Sequence, residues 1–121
     1  MSLKRRLRSD VRELESLYRS RGRESLYDYC SATFEKRNQW AQRMKLAEFN
    51  ALAENTFDLT FDERIKKSRM RLLIELSCDA DRRVKPMYAA AIENGRRAGF
   101  RPSNLKKYFV REGGIRNAAY G

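Results

Sequence analysis

The sequence predicts an all-α protein, a compact bundle of five to seven helices forming a single domain over residues 1–121, whether whole or a fragment of a longer chain. Three observations carry that expectation. Apolar residues recur three and four apart along most of the chain, the spacing that lines one face of a 3.6-residue helix. Helix breakers are scarce: Pro86 and Pro102 are the only prolines, and five of the six glycines follow residue 94. A length of 121 residues, 41% of them hydrophobic, suffices for one buried core and not for two.

The elements follow in order. Leu3, Leu7, Val11, Leu14, Leu17 and Tyr18 form one stripe over residues 3–20, with Asp10 and Glu13 spaced as a capping box and Gly22 as the stop. Ser25 to Asp28 offers the next start. Leu26, Cys30, Phe34, Trp40, Ala41, Met44 and Ala51 continue at helical spacing to about residue 55, as one long helix or as two with a break near Asn38. Thr60 to Glu63 is spaced as a second capping box. Behind it, Phe61, Ile65, Leu72, Leu73 and Leu76 line one side, while Met70 and Ile74 line the other. A helix apolar on two sides lies between layers, so residues 61–77 are expected to be the central helix.

The polar link "SCDADRRVK" precedes a helix bracketed by Pro86 in its first turn and Gly99 past its end. Tyr88, Ala91, Ile92 and Gly95 share its inner face. Pro102-Ser103 opens a short helix with Leu105, Tyr108 and Phe109 inward and Lys106, Lys107 and Arg111 outward. Gly113-Gly114 stops it, and Ile115 to Tyr120 opens one more helix.

Charge narrows the function classes. The chain carries 27 basic and 16 acidic residues, a net charge of +11. Net charge says nothing about the fold but much about association with polyanions. It is unevenly spread: +5 over residues 1–23, −4 over 24–63, +2 over 64–81 and +8 over 82–121. The basic first helix, with Lys4, Arg5, Arg6 and Arg8 among leucines, resembles a membrane-surface helix. The acids that follow it, and a core to dock on, favour a packed helix instead. No apolar run approaches the roughly 18 residues of a membrane span.

Enzyme readings lack their usual parts. Histidine, the common general base near pH 7, does not occur. Asp58, Asp62, Glu63, Asp79 and Asp81 are closely spaced carboxylates, but they fall where helix caps belong. Cys30 and Cys78 are too few for a zinc site and read as reduced core residues, with a disulfide as the alternative. No phosphate-loop or dinucleotide fingerprint occurs. The expectation is a cytoplasmic, non-enzymatic protein with no metal and no cofactor.

The basic C-terminal third remains. Arg96, Arg97, Arg101, Lys106, Lys107, Arg111 and Arg116 cluster around "GRRAGFRPSNLKKYFVREGGIR", with Glu112 the only acid among them. Arginine forks suit phosphate oxygens and lysines supply point charge, so these seven are the candidate nucleic-acid contacts. The glycine entry and Ala-Ala pair of "GGIRNAAYG" give a helix-turn-helix-like corner without a following reading helix. Arg116 and Asn117 are the sole candidates for base contact. DNA is placed slightly ahead of RNA because most aromatics sit on core stripes rather than on a stacking surface. The alternative is a protein-interaction module or regulatory subunit whose basic face docks an acidic partner, and a homo-oligomer pairing the acidic middle with basic ends fits the same pattern.

Overall fold

A computed structural model describes residues 2–20 and 22–121, leaving Met1 and Arg21 outside the described residues. Those residues are all-helical, without strands, and form α1 (Leu3–Arg19), α2 (Arg23–Arg43), α3 (Leu46–Phe57), α4 (Glu63–Lys66), α5 (Arg69–Ser77), α6 (Val84–Arg97), α7 (Leu105–Glu112) and α8 (Ile115–Tyr120). A 3-10 turn over Pro102–Asn104 leads into α7. Eight helices exceed the expected five to seven, and two breaks account for the difference.

The first break divides residues 61–77. Ser68 leaves helical geometry (φ −142°, ψ 123°) and its hydroxyl accepts from the Arg71 N–H at 3.1 Å, capping α5. A serine that bonds the backbone of the next turn competes with the continuing helix. The start also moves. Asp62, not Thr60, caps α4, accepting from the Arg64 and Ile65 N–H groups at 2.9 and 3.2 Å. The second break falls at Met44 and Lys45, both extended, rather than near Asn38. The Asn38 side-chain oxygen accepts from the Arg37 guanidinium at 3.0 Å, and α2 runs through Asn38 unbroken. At the new boundary the Glu48 carboxylate accepts from the Lys45 N–H at 3.3 Å.

The two-sided helix is the α5 segment. Met70, Leu72, Leu73 and Ile74 are all fully buried, and α5 touches α1, α2, α3, α4 and α6. Each such side chain contributes about 1.5–3 kcal/mol of burial. Leu7, Val11 and Leu14 of α1, Tyr29, Phe34 and Trp40 of α2 and Phe49 of α3 close over it, whereas Leu3 and Ala51, expected on inner stripes, are exposed.

Asp10 is the main departure from the expected local pattern. It does not cap: Ser2 does, accepting from the Arg5 N–H. Asp10 lies buried within α1, where its carboxylate accepts from the Trp40 indole N–H at 2.9 Å and pairs with Lys36 at 3.2 Å. Lys36 also pairs with Glu13 at 3.2 Å.

Helix ends on the C-terminal side use left-handed residues. Gly113 (φ 88°) and Gly114 (φ 119°) turn α7 into α8, and the Gly114 N–H returns to the Phe109 carbonyl at 2.8 Å, a Schellman closure. The α8 helix packs along α6, where the Asn94 side-chain amide donates to the Ala118 and Ala119 carbonyls at 2.9 and 3.1 Å. Gly95 lets α7 approach α6 closely, since a Cβ there would lie 2.6 Å from Leu105 Cδ1. Among the described residues no helix is long and apolar enough to cross a membrane.

Candidate nucleic-acid interface

The fold distributes the seven predicted cations over several surfaces. Arg96 and Arg97, in the last turn of α6, are exposed and share a cleft with the start of α5. Arg101 lines a separate shallow cleft with Glu35 of α2 and Ser103. Lys106 is held by α2: its ammonium lies 3.1 Å from Glu24 and 2.5 Å from Asp28. Hydrogen bonds to Asp28 and Glu24 keep its pKa above the usual lysine value. Lys107 is exposed with no ion pair among the described residues. The Arg111 guanidinium stacks over the Phe100 and Tyr108 rings, 5.1 and 5.3 Å from their centroids, and bonds Glu112 at 3.3 Å. Arg116 lies beside Arg23, Val110 and the double glycine, while the Asn117 amide turns back toward the Gly113 carbonyl. The corner exists as a turn, and none of the clefts described gathers more than two of its seven cations.

A denser convergence lies elsewhere. A groove of about 910 Å³ runs between α4, the first turns of α5 and the length of α6. Arg64, Arg71, Arg82, Arg83 and Arg97 line it, against two carboxylates, Asp62 and Glu93. Arg71 is committed to Glu75 at 3.0 Å. Arg64, Arg82, Arg83 and Arg97 are exposed and make no ion pair among the described residues. The backbone fixes their positions. Asp62 caps the turn that carries Arg64, and Asp81 accepts from the Arg83 N–H at 2.8 Å, starting α6.

Ser68, Glu93 and Arg97 also line a smaller cleft of about 270 Å³, completed by Arg37, Leu46, Lys67, Arg69 and Arg96. Glu93 pairs with Arg96 at 3.2 Å. Arg69 donates to the Met44 carbonyl at 2.9 Å, while its Nε is buried with no hydrogen-bond partner. Burial, and then the neighbouring Arg96 and Arg69 guanidiniums, pull the Arg37 pKa below its ordinary value.

Arg37, Arg64, Lys67, Arg69, Arg82 and Arg83 all lie outside residues 95–116, the basic stretch that the sequence singles out. For Arg64, Lys67 and Arg69 a signal is present: residues 64–71 hold five cations and no acid. Averaging them with Glu75, Asp79 and Asp81 concealed it. Of the other chemical candidates, Asp62 and Asp81 hold helix starts and Asp58 ends α3 in the left-handed region (φ 53°). Cys30 and Cys78 are buried free thiols, and burial pushes both pKa values up. Among the described residues no acidic or sulfur cluster has metal-site geometry. No protein-family model matches the chain, and neither curated proteins nor solved structures show significant similarity to it.

Proposed function

We propose that this chain is a non-enzymatic, nucleic-acid-associated protein that grips phosphates in the arginine groove between α4, α5 and α6. One observation carries the reading. Arg64, Arg82, Arg83 and Arg97 converge on a concave surface without carboxylate partners, on a chain of net charge +11. A surface built only for solubility intersperses both signs. Unpaired arginines in a groove give up little on meeting a polyanion and release its counterions on binding. Arg101, Lys107 and Arg116 add to the attracting field from neighbouring surfaces. Duplex DNA is favoured over RNA: no aromatic side chain lines the groove to stack an unpaired base. Contacts to phosphate alone position a duplex without reading its sequence.

The test is fluorescence anisotropy with a labelled duplex at low salt, alongside the 260/280 nm absorbance ratio of purified protein before and after nuclease treatment. Binding of unrelated duplexes with similar affinity is expected. No binding to duplex or single strands at low salt would refute the reading.

A second reading, docking of an acidic protein segment, rests on another groove. Leu26, Tyr27, Ile115 and Val110, the last 70% exposed, line it together with Arg23, Arg116 and one acid, Glu24, whose carboxylate is engaged by Lys106. Apolar side chains beside two arginines suit an acidic amphipathic peptide. Nuclease-treated protein retaining an acidic partner through this face, after Val110→Glu abolishes capture and the duplex result is negative, would favour it.

A further inference from the structure

Beside the main groove, the small cleft has more cations than its own carboxylate balances. Arg37 comes from α2, Lys67 and Arg69 from the α4–α5 junction, and Arg96 and Arg97 from the end of α6. Glu93 is the only acid lining it, so the five cations leave a local charge of +4. Three of the guanidiniums have partners: Asn38 for Arg37, the Met44 carbonyl for Arg69 and Glu93 for Arg96. Two of those partners are neutral, and neither removes the repulsion between the arginines. Such crowding is costly unless an anion relieves it.

We infer that this cleft is a subsite for a terminal phosphate monoester, the phosphorylated end of a nucleic-acid strand lying in the adjacent groove. The inference rests on the groove's reading as a nucleic-acid surface and deepens it. Three considerations select the ligand. A volume of about 270 Å³ admits a phosphate with part of its sugar, not a continuous duplex. A monoester carries about −1.5 to −2 charge at pH 7 and offers three strong acceptor oxygens, against a single charge for a bridging diester. Guanidiniums from three elements can serve those oxygens from several sides, and Ser68, Glu93 and Arg97, which line both, place the cleft directly beside the groove.

The experiment compares two blunt duplexes of one sequence, internally labelled, with 5′-phosphate or 5′-hydroxyl ends, by anisotropy on the intact chain. The phosphorylated duplex should bind on the order of tenfold tighter, as one added set of charge-assisted hydrogen bonds allows. Arg37→Gln and Lys67→Gln each touch the small cleft and not the main groove. Each should shrink the preference while hydroxyl-end binding persists. Lys67 is exposed, so its variant tests the cleft even if Arg37→Gln unfolds the protein. Equal affinity for the two duplexes overturns end recognition and leaves the groove reading standing. Binding of neither overturns both. Inorganic phosphate or a mononucleotide erasing the preference at concentrations comparable to the duplex would assign the cleft to a free phosphate and overturn strand-end recognition.

Discussion

Reversing Arg82 and Arg83 to glutamate tests the groove most directly. Four groove arginines carry no carboxylate partner, Arg64, Arg82, Arg83 and Arg97. If each neutralises one phosphate, the log–log salt dependence of duplex binding has a slope of about −3.6. Raising salt from roughly 50 to 200 mM then weakens wild-type binding about 150-fold. The double variant retains two of those contacts, so its slope should fall to about −1.8 and its loss over the same range to about 12-fold. All sequences should weaken alike, because phosphate contacts carry no base information. Lys106→Gln is the contrasting control. Its ammonium is already engaged by Glu24 and Asp28, so the slope should stay within experimental error of wild type. Anisotropy titrations at several salt concentrations, with circular dichroism to verify folding, make the measurement. An unchanged slope in the double variant, or a change confined to Lys106→Gln, would refute the assignment of the groove.

Three further outcomes concern the scaffold. Asp10→Ala strands the buried Trp40 indole N–H and removes one of the two carboxylates on Lys36, and should cost about 3 kcal/mol. Urea unfolding followed by fluorescence of Trp40, the only tryptophan, reads it, and a loss below about 1 kcal/mol would contradict the burial argument. Burial alone would raise the Glu75 pKa, but hydrogen bonds from Lys85 and Arg71, both at 3.0 Å, hold it below the usual value. A depressed folded-state pKa contributes stability above the unfolded value of about 4.3, lost as pH falls through the folded value. Glu75→Gln should therefore flatten the acid limb of stability below about pH 4.5, as thermal melts across that range would show. Gly95→Ala places a methyl group 2.6 Å from Leu105 Cδ1 and 3.0 Å from Tyr108 Cδ2. Overpacking should outweigh the helix-propensity gain and leave a net loss of about 1–2 kcal/mol in denaturant unfolding.

Much of the fold was legible along the chain. The stripe Leu7, Val11, Leu14, the two-sided apolar pattern of residues 70–74 and the bracketing of α6 and α7 by proline and glycine are local properties. A helix period and a stop signal depend on near neighbours only, so they survive whatever the rest of the chain does. The misreadings occur where two local signals compete. Ser68 was equally able to sit inside a helix or cap a new one, and Asp10 had cap spacing but a partner 30 residues away. Choosing between such options requires knowing what is packed alongside.

The interface divides the same way. The sequence by itself determined the excess of positive charge and the predominance of arginine over lysine, and it singled out Arg97, which lines the groove. Only the tertiary structure decided which cations share a surface. Packing set Lys106 against two carboxylates of α2 and Arg111 over two rings, and placed Arg64, from a segment whose average charge concealed it, in the groove with Arg82 and Arg83 at the start of α6. The reason is range. Helix signals act over one or two turns, whereas a charge acts on whatever lies within about 8 Å through space at physiological salt. Distance along the chain does not determine that neighbourhood.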